Sequence, residues 1–171
     1  MILHWLIAVL IAFNFVAVWI SEDWDRPDRM RIMASHKAVG ITVLFLTLVR
    51  LAWRFTHRPP PLQRNLKPWE RALARFTHTA FYVLMIAIPL AGWAMSSGYG
   101  PISMFGLFSL PPLPVSTNEA AGDTFHGIHV NLAWLMLGLM ALHVAGALKH
   151  QFFDRDRTLG RMIPFLMPPR V

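Results

Sequence analysis

The sequence predicts an all-α membrane protein, a four-transmembrane-helix bundle with both termini cytoplasmic. Three observations predict it. Four apolar runs each approach the ~20 residues that cross a bilayer core. The chain is 55% hydrophobic and 15% charged, whereas soluble domains average about a quarter charged. The loops between the runs differ sharply in positive charge, as the positive-inside rule requires of a polytopic protein.

The spans follow in order. The first, residues 2–20, has no positive flank before it and no small-residue cleavage site after it, so it reads as a retained span rather than a signal peptide. The second covers 38–55 and carries Arg50 near its end. The third covers 76–95. Pro89 and Gly92 lie inside it, which membrane helices tolerate, and a kink is expected there. The fourth covers 128–148. Together with their loops these spans use the 171 residues as a single domain, 1–171, with no room for a soluble catalytic module. The mean hydropathy of +0.44 agrees.

Charge sets the direction. Between 54 and 75 lie Arg54, Arg58, Arg64, Lys67, Arg71 and Arg75 against the single acid Glu70, and the C-terminal tail adds Lys149, Arg155, Arg157, Arg161 and Arg170. The loop 96–127 has no Lys or Arg. The first loop is mixed, with Glu22, Asp23, Asp25 and Asp28 among Arg26, Arg29, Arg31 and Lys37. Both termini and the 54–75 loop therefore belong in the cytoplasm. The net charge of +7 reads as topology and contact with anionic lipid, not as a nucleic-acid footprint. The third loop is apolar and Pro-rich over 106–114, and is expected to lie in the membrane interface as a lid.

The absence of cysteine removes disulfides, iron–sulfur clusters and covalent c-type haem. The chain has eight histidines: His4, His36, His57, His78, His126, His129, His143 and His150. An ionisable side chain within a span marks function by default, because lipid burial is costly. His129 and His143 are 14 residues apart, nearly four turns, so they share a face and sit about 21 Å apart in depth. The antiparallel order of the spans puts His4 at the depth of His143 and His36 at the depth of His129. Two imidazole pairs from separate helices then form cages suited to flat macrocycles, with bis-His ligation of two b-type haems. The residues four beyond these ligands are Ala8, Gly40, Ala133 and Ala147, which leave room for a ring plane; the other four histidines have Pro61, Tyr82, Val130 and Asp154 there.

Arg50 lies 14 residues past His36 on the same helix face, a candidate partner for an inner haem propionate or a quinone head, or else a snorkelling cation. Lys37 is a candidate contact for the outer propionates. His78 and His150, at the inner ends of the third and fourth spans, are candidates for handing protons to a quinone. His57 and His126 read as loop residues.

The set has a family likeness. His4-Trp5-Leu6, His36-Lys37-Ala38-Val39-Gly40 leading to Val49-Arg50-Leu51, His78 before Ile86-Ala87-Ile88-Pro89-Leu90-Ala91-Gly92, then His129 and the stretch from His143 to His150 resemble the bacterial cytochrome b561 family across almost the whole chain. The resemblance implies a four-helix, di-haem protein of the bacterial inner membrane, with axial ligands at His4, His36, His129 and His143. It also implies a superoxide oxidase type of activity, taking electrons from superoxide, a small anionic donor, at the periplasmic side and reducing ubiquinone near His78 and His150. The competing expectation is a haem-bearing membrane anchor that relays electrons for a soluble dehydrogenase or hydrogenase partner. A third is a haem-free metal or proton transporter.

Overall fold

A computed structural model describes residues 1–57, 67–154 and 160. Its elements are α1 (Ile2–Ile20), α2 (Arg26–Thr56), α3 (Pro68–Ser96), a 3₁₀ turn (Ser97–Tyr99), β1 (Ile102–Met104), β2 (Phe108–Leu110) and α4 (Glu119–Phe152). All four α-helices are long and apolar enough to cross a membrane. Arg58, Arg64, Arg155, Arg157, Arg161 and Arg170, which helped set the expected direction, lie outside the described residues.

Local chemistry starts each long helix. α2 opens with a proline in its first turn and Asp28 beside the positive end of its dipole. α3 opens on Pro68, and the Glu70 carboxylate accepts from the Lys67 backbone N–H at 2.9 Å, filling one donor left over at a helix start. The Asn118 side chain does the same for α4, accepting from Ala121 N–H at 2.8 Å. These caps lie well outside the apolar runs, so three helices are longer than the spans read from hydropathy. His126 is one consequence. It lies within α4, not in a loop, because the Asn118 cap starts that helix early. His57 closes α2, stacked on Trp53 at 3.8 Å. His78 sits ten residues inside α3 rather than at its opening. α3 runs unbroken through Pro89.

The core draws on every helix: Ile7 from α1, Val39 and Val43 from α2, Leu84 and Met85 from α3, Met136 and Leu139 from α4. In lipid this core gains little from leaving the solvent, since tails are as apolar as leucine; close packing holds it. Val9, Phe45, Val83 and Leu142, all well exposed, face outward as a lipid-facing surface.

Neighbouring helices pack in chain order, α1 on α2, α2 on α3, α3 on α4. Among the described residues α4 has extensive contact only with α3, and packs less closely on α1 and α2. The loop before α4 contains a feature that hydropathy alone did not reveal, an antiparallel hairpin pairing Ile102 with Leu110, Ser103 with Ser109 and Met104 with Phe108. Three residues, Phe105, Gly106 and Leu107, join the paired ends; Phe105 at φ 55° and Gly106 at φ 79° are the left-handed pair of a type I′ turn closed by Leu107 N–H donating to Met104 O at 3.0 Å.

Candidate haem-binding site

The space beside α4 is where the histidines meet. His36 of α2 faces His129 of α4 with ring centroids 6.0 Å apart. His4 of α1 faces His143 of α4 at 6.4 Å. The two pairs occupy opposite ends of the bundle, and each crosses from α4 to a helix on which it packs less closely than on α3. Of the predicted site residues, these four are therefore brought together two by two.

The spacing tests whether a haem fits. A metal–imidazole bond is about 2 Å long and a ring centroid lies about 1 Å beyond the nitrogen, so rings gripping one iron from opposite faces sit roughly 6 Å apart. Both pairs meet that spacing. Among the described residues no three His, Asp or Glu side chains converge as ligands for a bare ion, so the geometry is one of pairs. The four residues one turn beyond the rings, Ala8, Gly40, Ala133 and Ala147, keep the walls low.

Two of the rings are oriented by backbone. His129 Nδ1 lies 2.9 Å from the Ile88 carbonyl of α3, and His36 Nδ1 lies 3.3 Å from the Asn14 carbonyl of α1. A carbonyl oxygen only accepts, so each Nδ1 carries the proton and each Nε2 is left with a lone pair for a metal. Sequence reasoning missed these supports. The nearest signal was Gly92, read as a kink: a Cβ there would stand 3.0 Å from His129 Nδ1, so the missing side chain lets the ring reach Ile88.

Buried polar atoms mark both levels. Asn14 Oδ1 and Thr47 Oγ1 have no hydrogen-bond partner among the described residues. Asn14 is at the His36 level. Thr47 lies eleven residues further along α2, about 16 Å, which returns it to the His4 level.

The His4 level is more crowded than expected. His78 of α3 lies 6.1 Å from His143, as near as His4 does, and Phe81 lies edge-on to the same ring at 5.3 Å. Arg50 and Arg54 both stand over the Tyr82 ring, at 5.7 and 5.8 Å, a cation–π clamp between α2 and α3. Lys37 is half-buried beside His36. His150 Nδ1 lies 2.8 Å from Asp154 Oδ2, next to Lys149, which bridges Asp154 at 2.8 Å and Glu70 of α3 at 2.5 Å.

Known proteins are similar to this chain along nearly its whole length. The family model for prokaryotic cytochrome b561 matches residues 1–165. The chain is 33% identical to "Cytochrome b561 homolog 2" of Escherichia coli (strain K12), over 94% of this chain and 86% of that one. It is 28% identical to "Probable superoxide oxidase CybB" of Yersinia pestis, over 95% and 92%. It is also 28% identical to "Cytochrome b562" of Cereibacter sphaeroides, over 94% and 90%. A match over nearly the full chain, with paired imidazoles across a bundle of membrane-spanning helices, leaves one conclusion: this multi-pass membrane protein belongs to the prokaryotic cytochrome b561 family of haem b electron-transfer proteins.

Proposed function

We propose that this chain oxidises superoxide at the periplasmic side of the bacterial inner membrane and reduces ubiquinone, using two haem b groups held by His36–His129 and His4–His143. The observation that carries the proposal is the pair of facing imidazoles at 6.0 and 6.4 Å, one at each end of the bundle. Haem b, when bound, supplies the one-electron redox chemistry.

The chain's own residues do the holding and aiming. The Ile88 and Asn14 carbonyls fix His129 and His36 with Nε2 free. At the other end His143 has two neighbours at similar range. His4 is preferred because Ala8 follows it by one turn, whereas Tyr82 follows His78 and would crowd a ring plane. Arg50 at the His4 level and Lys37 at the His36 level offer cations to propionates. His78 is exposed and beside His143; in this reading it and His150 hold protons for a quinone, whose reduction takes up two electrons and two protons.

Orientation follows from loop charge, with both termini and the 54–75 loop in the cytoplasm. That puts the His36–His129 pair on the periplasmic side. Positive charge there would draw an anionic donor, although Arg31 is already tied to Asp28 at 3.0 Å. Superoxide as donor rests on the printed name of the Yersinia pestis relative.

Stopped-flow mixing of purified protein with superoxide and a soluble quinone analogue tests the proposal. Fast reduction of the b-type absorption followed by quinone reduction is the expected result. No response to superoxide, with a soluble dehydrogenase or hydrogenase co-purifying, would replace it with the relay reading.

A further inference from the structure

We propose that the β1–β2 hairpin is a lipid-docking element, seated in the interfacial zone of the leaflet at the His36 end, with Phe105, Leu107 and Phe108 as its anchors. The proposal is independent of what donates or accepts electrons.

The hairpin stands at membrane depth. Its buried residues Ile102 and Met104 pack with Ala38 and Ile41 of α2, and Trp93 of α3 closes the same cluster. Ala38 and Ile41 begin an uncharged stretch of α2 that continues to Val49. The strand therefore lies against the bundle where the apolar run begins.

Its two faces differ. Cross-strand partners point to the same side of a sheet, so Ile102, Met104, Phe108 and Leu110 share one face, and Ser103 and Ser109 the other. Ile102, Met104 and Leu110 are met by α2 and α3, but Phe108 is 58% exposed and Leu107, at the turn, 83%. The apolar face thus continues past the protein it covers. What it would continue onto is the lipid surface that already surrounds the bundle.

The turn makes the same point. The first position of a type I′ turn normally takes Asn, Asp or Gly, which tolerate positive φ. Here it is Phe105, at φ 55° and exposed. A strained backbone carrying a bulky apolar side chain is a poor choice in water and a good one at a lipid interface. The unpaired strand edges keep the hairpin from sinking into hydrocarbon, where such groups have no partners. Nothing in residues 96–118 is charged, so the partner is the bilayer interface in general rather than an anionic headgroup. The base is pinned: Trp93 Nε1–H donates to Pro111 O at 3.1 Å, and Leu113 N–H donates to Ser97 Oγ at 2.9 Å.

The chain's lack of cysteine makes the test direct. Haem-loaded Leu107→Cys, Ser109→Cys and Asp23→Cys proteins are placed in phosphatidylcholine nanodiscs and labelled with a charged, lipid-impermeant maleimide. Leu107→Cys should react about tenfold or more slowly than Asp23→Cys, with Ser109→Cys close to Asp23→Cys. Should Leu107→Cys fail to fold, Phe105→Cys carries the same comparison. Labelling at position 107 as fast as at 23 overturns the proposal. So does protection in native membranes that is absent in pure lipid, because the cover would then be a protein.

Discussion

A Cβ on Gly92 would stand 3.0 Å from His129 Nδ1 and 3.1 Å from Cε1, so the ring of one helix rests where the neighbouring helix has no side chain. Adding a methyl group there should push the ring off the Ile88 carbonyl. Gly92→Ala is expected to lower haem content toward one per chain, while the spans stay folded; overpacking of this kind costs about 1–3 kcal/mol. A pyridine haemochrome assay on purified protein reads the outcome, and two haems per chain would show that the close approach is unimportant.

Removing that ring altogether gives the cleaner version of the test. His129→Ala should lose the haem at the His36 level and keep the one at the His4 level, because the pairs are at separate ends. Haem quantitation together with a redox titration should show one component where the parent shows two. Retention of both would mean that the pair is wrongly assigned.

The two neighbours of His143 should behave differently. His4→Ala is expected to lose one haem. His78→Ala is expected to keep both and to slow quinone reduction about tenfold or more, the usual scale for a lost proton-transfer group. Reversed haem contents would make His78 the ligand, which its 6.1 Å approach allows.

Glu70 ties the start of α3 to the end of α4 through Lys149. Partly exposed ion pairs add little to global stability, so the effect of Glu70→Gln should be local. Hydrogen exchange near Lys149 and Asp154 should quicken several-fold while the core of α3 is unchanged. Unchanged exchange at both places would show that Asp154 holds Lys149 unaided.

Much of the fold was legible because lipid imposes a strong code. A span must be long, apolar and hydrogen-bonded within itself, and four runs obeyed that rule. The meeting of His36 with His129 was legible for a related reason: helical period and antiparallel order restrict which rings share a depth. What stayed hidden was set by atoms without sequence signatures. The carbonyls of Ile88 and Asn14 belong to every residue type, so nothing marked them as supports for a ring. Helix starts at Asn118 and Lys67 were missed because caps act outside the apolar run, and this misplaced His126. The hairpin was read only as an apolar stretch, since Phe105 takes a turn position where Asn or Gly would have announced it. The crowding of His78 against His143 needed three helices at once, which pairwise spacing does not report.

Among the described residues helix α4 packs extensively along α3 alone, and that affects how the molecule is made. Insertion into the bilayer can finish with the fourth helix held chiefly along one side. Iron porphyrin would then arrive as a late structural part, bridging α4 to α1 and α2 and closing the assembly. Cells short of haem should accordingly hold this chain as a loosened precursor, and membrane proteases should clear it before it could fill up the membrane.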